Sequence, residues 1–205
     1  MSPTSDVHAA GSSGGISLPA VSEPGSRLEI LRELRSLHQQ STSFWESFDT
    51  ARFFAPLGEA WSPADNIRHL IKSSRPVAVA LRVPKMLLIV PGAGVGWRGS
   101  RSYAEVRETY LAALAGGVQA GRFAPTPRKV EGDLESARRE LMARREAVAV
   151  NLHAAVEAWG DRGLDRLRMP HPALGQLTVR EMLLFTLYHN LHHVLNVARR
   201  MGWSE

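Results

Sequence analysis

The stretch LTVREMLLFTLYHNLHHVLNVARRMG occupies residues 177–202 and reads as one long helix. Thr178 suits the N-cap, and Glu181 three residues later completes a capping box. Gly202 supplies the stop. Arg199 and Arg200 sit where the negative end of the helix dipole favours cations. The run is apolar on most sides, yet it carries His189, His192 and His193, three of the chain's eight histidines. His189 and His193 are four residues apart, so their rings stack on one face, roughly 6 Å from each other. That spacing lets two imidazoles hold one ion, as in the H-E-x-x-H helices of zinc proteases. Asn190 stands in place of the glutamate, so the protease base is missing. His192 lies about 100° round the helix from His193 and is assigned an accessory or surface role.

Two imidazoles do not complete a metal site; a catalytic ion usually takes three protein ligands and keeps a position open. The third ligand must come from another helix. WSPADNIRHL, residues 61–70, opens one: Ser62 as N-cap, Pro63 at N1 and Asp65 at N3. Ile67, Leu70, Ile71, Ser74 and Leu81 form its apolar stripe, and Pro76 is expected to bend or end it early. His69, beside that stripe, is the best-placed third ligand. Three inward-facing neutral rings with no charged partner would be hard to satisfy without an ion. His38 lies on the apolar face of a first helix over residues 26–48, with Leu31, Leu34, Ser41, Trp45 and Phe48, and is a neighbour of the site or a fourth ligand. His153 reads as structural, His171 as a loop residue and His8 as part of a tail.

Two more helices follow. Ser102 and Glu105 make a capping box for a third, which Gly116-Gly117 ends. A linker through RFAPTPRK leads to a fourth over residues 131–159, with Leu134, Leu141, Val148, Leu152, Ala155 and Trp159 on one side and Gly160 as its stop. Residues 1–24 are rich in Gly, Ser and Pro without periodicity and read as a disordered tail; residues 25–205 form the single domain. The fold class is all-α, with long helices packed as a bundle. MLLIVPGAGVGWRGS, residues 86–100, resembles a strand entering a phosphate loop. Its glycines give G-x-G-x-G rather than G-x-G-x-x-G, so it reads as a long connection between helices.

Composition narrows the chemistry. The 205 residues include no cysteine, which excludes disulfides and thiolate metal sites. A reducing cytoplasmic setting fits. No run of about 18 apolar residues or basic leader is seen, so neither a spanning helix nor a secretory signal is expected. The net charge is +5, with seven Lys/Arg and no Asp or Glu from Asn66 to Ala104. Such a surface attracts anions. The basic residues are not interleaved with aromatics, so a solvated arginine-rich surface is preferred and no nucleic-acid partner is expected.

Trp61, Ser62-Pro63 and His69, followed much later by His171-Pro172, Gly175, Leu177-Thr178, His189, His192 and His193, resemble the two signature blocks of the DinB superfamily. The resemblance covers roughly residues 26–203. It implies a four-helix bundle of up-down-down-up topology. It also implies a divalent metal, often nickel or zinc, on three histidines: by motif position His69, His189 and His193. Asn196 stands where the family often has glutamine, and with His192 and His38 it is placed near the metal. Some relatives are thiol-dependent transferases or isomerases using a low-molecular-weight thiol. The function expected is a metal-dependent enzyme on a small-molecule substrate, an S-transferase or hydrolase, in a possible homodimer. The alternative is a non-catalytic, metal-stabilised bundle with a stress-related interaction role.

Overall fold

The computed structural model describes residues 17–84, 99–126 and 132–203. The glycine-rich stretch of residues 86–100 falls mostly outside them, as do residues 1–16. The elements are α1 (Arg27–Glu46), α2 (Thr50–Phe54), α3 (Pro63–Ala80), α4 (Tyr103–Ala115), α5 (Leu134–Glu157), α6 (Asp161–Arg166), β1 (Arg168–His171), β2 (Gly175–Thr178) and α7 (Val179–Arg200).

Helices α1, α3, α5 and α7 form the bundle, and two core clusters give their directions. One cluster holds the start of α1, the end of α3, the end of α5 and the first half of α7. The other holds the end of α1, the start of α3, Leu141 of α5 and the end of α7. Helices α1 and α7 therefore run one way and α3 and α5 the other, an up-down-down-up bundle. Helix α7 is its axis, with sixteen of 22 residues buried.

The caps fall where the sequence puts them: Ser62 on α3, Ser102 with Glu105 on α4, and Thr178 with Glu181 on α7. Four readings are corrected. Pro76 does not end α3, which continues to Ala80. Its ring faces solvent, and buried Val77, Ala78 and Leu81 hold the last turn. His171 is not in a loop but ends the first strand of an antiparallel hairpin over residues 168–178, with Met169 opposite Leu177 and both on the core. Pro170 is tolerated because both strands of a two-stranded sheet are edges. Residues 17–24 are not free of the domain. They run extended along α1, with Leu18 and Val21 against the core and Ser22 hydrogen-bonded to the buried Glu33. On α5, Leu134 is 37% exposed and Val148 only half-buried. A seven-residue spacing drifts round a 3.6-residue helix, and Arg145 takes the interior position instead.

Glu181 anchors this frame. Its carboxylate is fully buried and accepts from the Arg101 side chain, 3.0 Å from Nε, and from the backbone of Arg101 and Thr178. Burial pushes this carboxyl up, but those hydrogen bonds outweigh it and hold it below its ordinary range. Arg101→Ala takes two charge-assisted hydrogen bonds from this buried carboxylate and is expected to cost about 2 kcal/mol. Urea denaturation at pH 7 checks this; a midpoint equal to that of the unmodified protein would show that the Arg101 side chain is not needed to hold Glu181.

Candidate metal centre

His69 and Asn66 lie one turn apart on α3, and His189 and His193 one turn apart on α7. The packing of α3 on α7 brings three imidazoles together, all buried, at 5%, 5% and 8% exposure. Nε2 of His189 lies 3.0 Å from Nε2 of His69 and 3.2 Å from Nε2 of His193. Among the described residues they are the one group of three or more histidine, cysteine or carboxylate side chains with a suitable atom within 4.8 Å of one another. No Asp or Glu joins them.

The hydrogen bonds behind the rings fix their tautomers. His69 Nδ1 is 2.9 Å from the Phe123 carbonyl, which can only accept, so Nδ1 carries the proton. Lys72 holds the same segment through the Ala124 carbonyl. His193 Nδ1 is 2.7 Å from Asn66 Oδ1. The Asn66 amide cannot be reversed, because its Nδ2 donates to the carbonyls of Trp61 and Ser62. His193 therefore also carries its proton on Nδ1. The Nε2 atoms of both rings are bare lone pairs aimed at His189, whose single proton can serve at most one of them. Two or three acceptors face one another in a dry site with too few hydrogens between them.

The surroundings are aromatic. Trp61 stacks over His193 with centroids 6.2 Å apart, and Phe185 over His189 at 5.1 Å. Tyr110 presents its edge to His189. Burial lowers all three imidazoles below their ordinary pKa. For His189 and His193 the shift is large, and neighbouring imidazoles add to it. All three are neutral near pH 7, the state a metal ligand needs. Burial likewise pushes the Tyr110 phenol up to about 12. A divalent ion fits this donor set: three neutral nitrogens, lone pairs converging, the far ring nitrogens already bonded.

The other histidines fall elsewhere. His192 is half-buried beside Tyr110 and Tyr188, and Asn196 Nδ2 is 2.8 Å from its Nε2. His38 is not brought to the cluster; it pairs with Glu146 on α5. His171 ends β1, edge-on to Phe185 with centroids 4.4 Å apart, and burial lowers it to about 4. His153 lies between Arg35 and Glu157. Sequence reasoning passed over Asn66, although its place one turn before His69 is a signal. The Phe123 carbonyl carries no side-chain signature.

The DinB superfamily model matches residues 33–196. No curated protein matches. Two solved structures share the fold. One is TT2238, a four-helix bundle protein, 19% identical, with a TM-score of 0.51 over 85% of this chain and 99% of that one. The other is YfiT from Bacillus subtilis, described as "a probable metal-dependent hydrolase with an unusual four-helix bundle topology". It is 16% identical, with a TM-score of 0.53 over 91% of this chain and 95% of that one. The family match begins in the second turn of α1, ends in the last turns of α7 and takes in all three converging imidazoles: the chain belongs to the DinB superfamily.

Proposed function

We propose that the chain is a metal-dependent enzyme that holds one divalent ion through Nε2 of His69, His189 and His193 and acts on a small-molecule substrate. The observation that carries this reading is the locked tautomer of His69 and His193, which turns two lone pairs onto His189. Neutral imidazoles suit zinc or nickel. When bound, the ion supplies Lewis acidity at a water-poor position. The chain's own residues do the rest. Asn66 and the Phe123 carbonyl orient the rings, Trp61 and Phe185 exclude water, and Tyr110 remains a neutral hydroxyl donor at neutral pH.

No carboxylate stands by the cluster among the described residues to serve as a general base. That favours transfer of a low-molecular-weight thiol to an electrophile over hydrolysis, because a thiol needs less help from a base than water does to reach its reactive anion. Hydrolysis is the second reading, supported by the description of YfiT. His192 and Asn196 are proposed as neighbours of the substrate.

The test is metal analysis and calorimetry with zinc and nickel, beside turnover of thiol-electrophile and ester panels. The unmodified protein is expected to bind one ion per chain, and alanine at any of the three histidines to abolish stoichiometric binding. Asn66→Ala is expected to weaken binding about 10–100-fold, as loss of a partner behind a ligating histidine does. Full occupancy in the three alanine variants would overturn the site. An ion whose loss lowers only the melting temperature, with no turnover in either panel, would make the bundle a metal-stabilised, non-catalytic one.

A further inference from the structure

The four bundle helices do not close on one another at mid-height. They leave a cavity of about 750 Å³, opening between α1 and α5. None of the three converging histidines lines it. Helix α7 separates the two places: Thr186, Leu187 and Asn190 face the cavity, while Phe185, His189 and His193 face the cluster. The walls are largely apolar, with Leu34, Leu37, Leu70, Ile71, Leu152 and Leu187 among them.

One buried charge interrupts these walls. Arg145 of α5 lines the cavity and is only 6% exposed. Its Nη1 donates to Thr42 Oγ1 and its Nη2 to Ser41 Oγ. Both hydroxyls spend their own hydrogens on carbonyls of α1, those of Leu37 and His38, so they meet the guanidinium as neutral acceptors. They satisfy two of its five N–H groups and none of its charge. Among the described residues no carboxylate forms a salt bridge with it; Glu146 and Glu46 act on it only from a distance, Glu146 turning to His38 and Glu157 to His153. A buried cation with no counterion in contact is costly, and native structures pair such groups. Ser74, buried on the facing wall, makes no side-chain hydrogen bond to a described residue.

We infer that this cavity binds a small amphipathic monoanion, a carboxylate with an apolar body, whose head pairs with Arg145. A guanidinium fork matches a carboxylate in two parallel hydrogen bonds. The volume lies within the range of ligand sites, about 300–1,000 Å³. The rim carries the exposed carboxylates of Glu146 and Glu157 beside the single Arg35 guanidinium, so it adds no net positive charge for a second anionic group and disfavours a dianion.

Octanoate is the probe and octan-1-ol the neutral control of equal chain length, both titrated into the protein as purified. Amide-resolved NMR and calorimetry report binding. Saturable octanoate shifts are expected at Ser74, Thr186 and Asn190 and not at Asn66 or Phe123, with octanol at least tenfold weaker. Arg145→Met is expected to bring octanoate down to the affinity of octanol. Ala149→Trp, on the half-exposed outer wall, leaves the Arg145 hydrogen bonds in place and is expected to block both ligands. The inference is overturned if octanoate gives no saturable shift at the cavity residues, if octanol binds equally well, or if Arg145→Met binds octanoate as the unmodified protein does. None of these outcomes depends on what the three imidazoles hold.

Discussion

Chelation of the purified protein is expected to lower its melting temperature by about 8–16 °C. An ion present at 1,000 times its Kd stabilises the state that binds it by about 4 kcal/mol. A domain of this size shifts by about 2–4 °C for each kcal/mol. The effect has a local cause. Without an ion, lone pairs of buried nitrogens face one another at 3.0 and 3.2 Å with too few protons to bridge them. The rings cannot turn to relieve this, since Phe123 and Asn66 hold two of them from behind. Differential scanning fluorimetry with and without EDTA, then back-titration with zinc, measures the shift. His193→Ala is expected to melt at a temperature that EDTA does not change. An unmodified protein that carries the ion and yet melts identically after its removal would refute the structural part of the claim.

What was legible in the sequence follows the range of the interactions involved. Helix starts are decided within four residues, so Ser62, Thr178 and Glu181 announce them directly. The spacing of His189 and His193 is equally local. His69 needed one further step, a face assignment on a second helix. The failures are longer in range or smaller in size. Helices α2 and α6 span five and six residues, too few for periodicity to register. The hairpin depends on Met169 meeting Leu177 across a turn, and each strand has only four residues. Ser22 precedes the first helix in sequence, and its bond to Glu33, with Leu18 and Val21 on the core, keeps the segment against the domain. Arg145 defeats a polarity pattern altogether: an arginine in the interior reads as a break in the stripe, not as part of it.

The same separation explains why α7 serves two places at once. Its histidine face is committed to α3 and the aromatic wall, and its Thr186–Asn190 face to the cavity. A helix exposed on one side could not do this; one buried on nearly all sides can, because each face meets a different neighbour.

Acidification below pH 6.5 is expected to unfold the metal-free protein steeply, before carboxylate titration accounts for it. Burial holds His69, His189 and His193 below their ordinary value of 6.5, the last two well below, and lowers His171 to about 4. In the unfolded chain each titrates near 6.5. Between that value and the folded pKa the unfolded chain binds more protons, so stability rises with pH there and is lost as pH falls. Each such proton contributes about 1.4 kcal/mol per pH unit. His189, His193 and His171 together give a slope of about 4 kcal/mol per unit once the pH is a unit below 6.5, and His69 acts in the same direction. Total stabilities of about 5–15 kcal/mol would be exhausted within about two to four units. The carboxylates act later. Asp161 and Asp165 are held below their ordinary range by hydrogen bonds from Arg180, so their contribution persists at pH 5 and goes only as the pH falls through those lowered values. A bound ion adds to the steepness, because protons compete for the same three nitrogens. Urea titrations of the chelated protein at pH 7, 6 and 5 measure the slope. His171→Leu removes one proton site outside the three converging rings and is expected to lower the slope by about 1.4 kcal/mol per unit above pH 4. A urea midpoint that stays constant from pH 7 to pH 5 would mean the folded imidazoles take up protons as readily as those of the unfolded chain, and the lone-pair geometry on which the metal centre rests would be wrong.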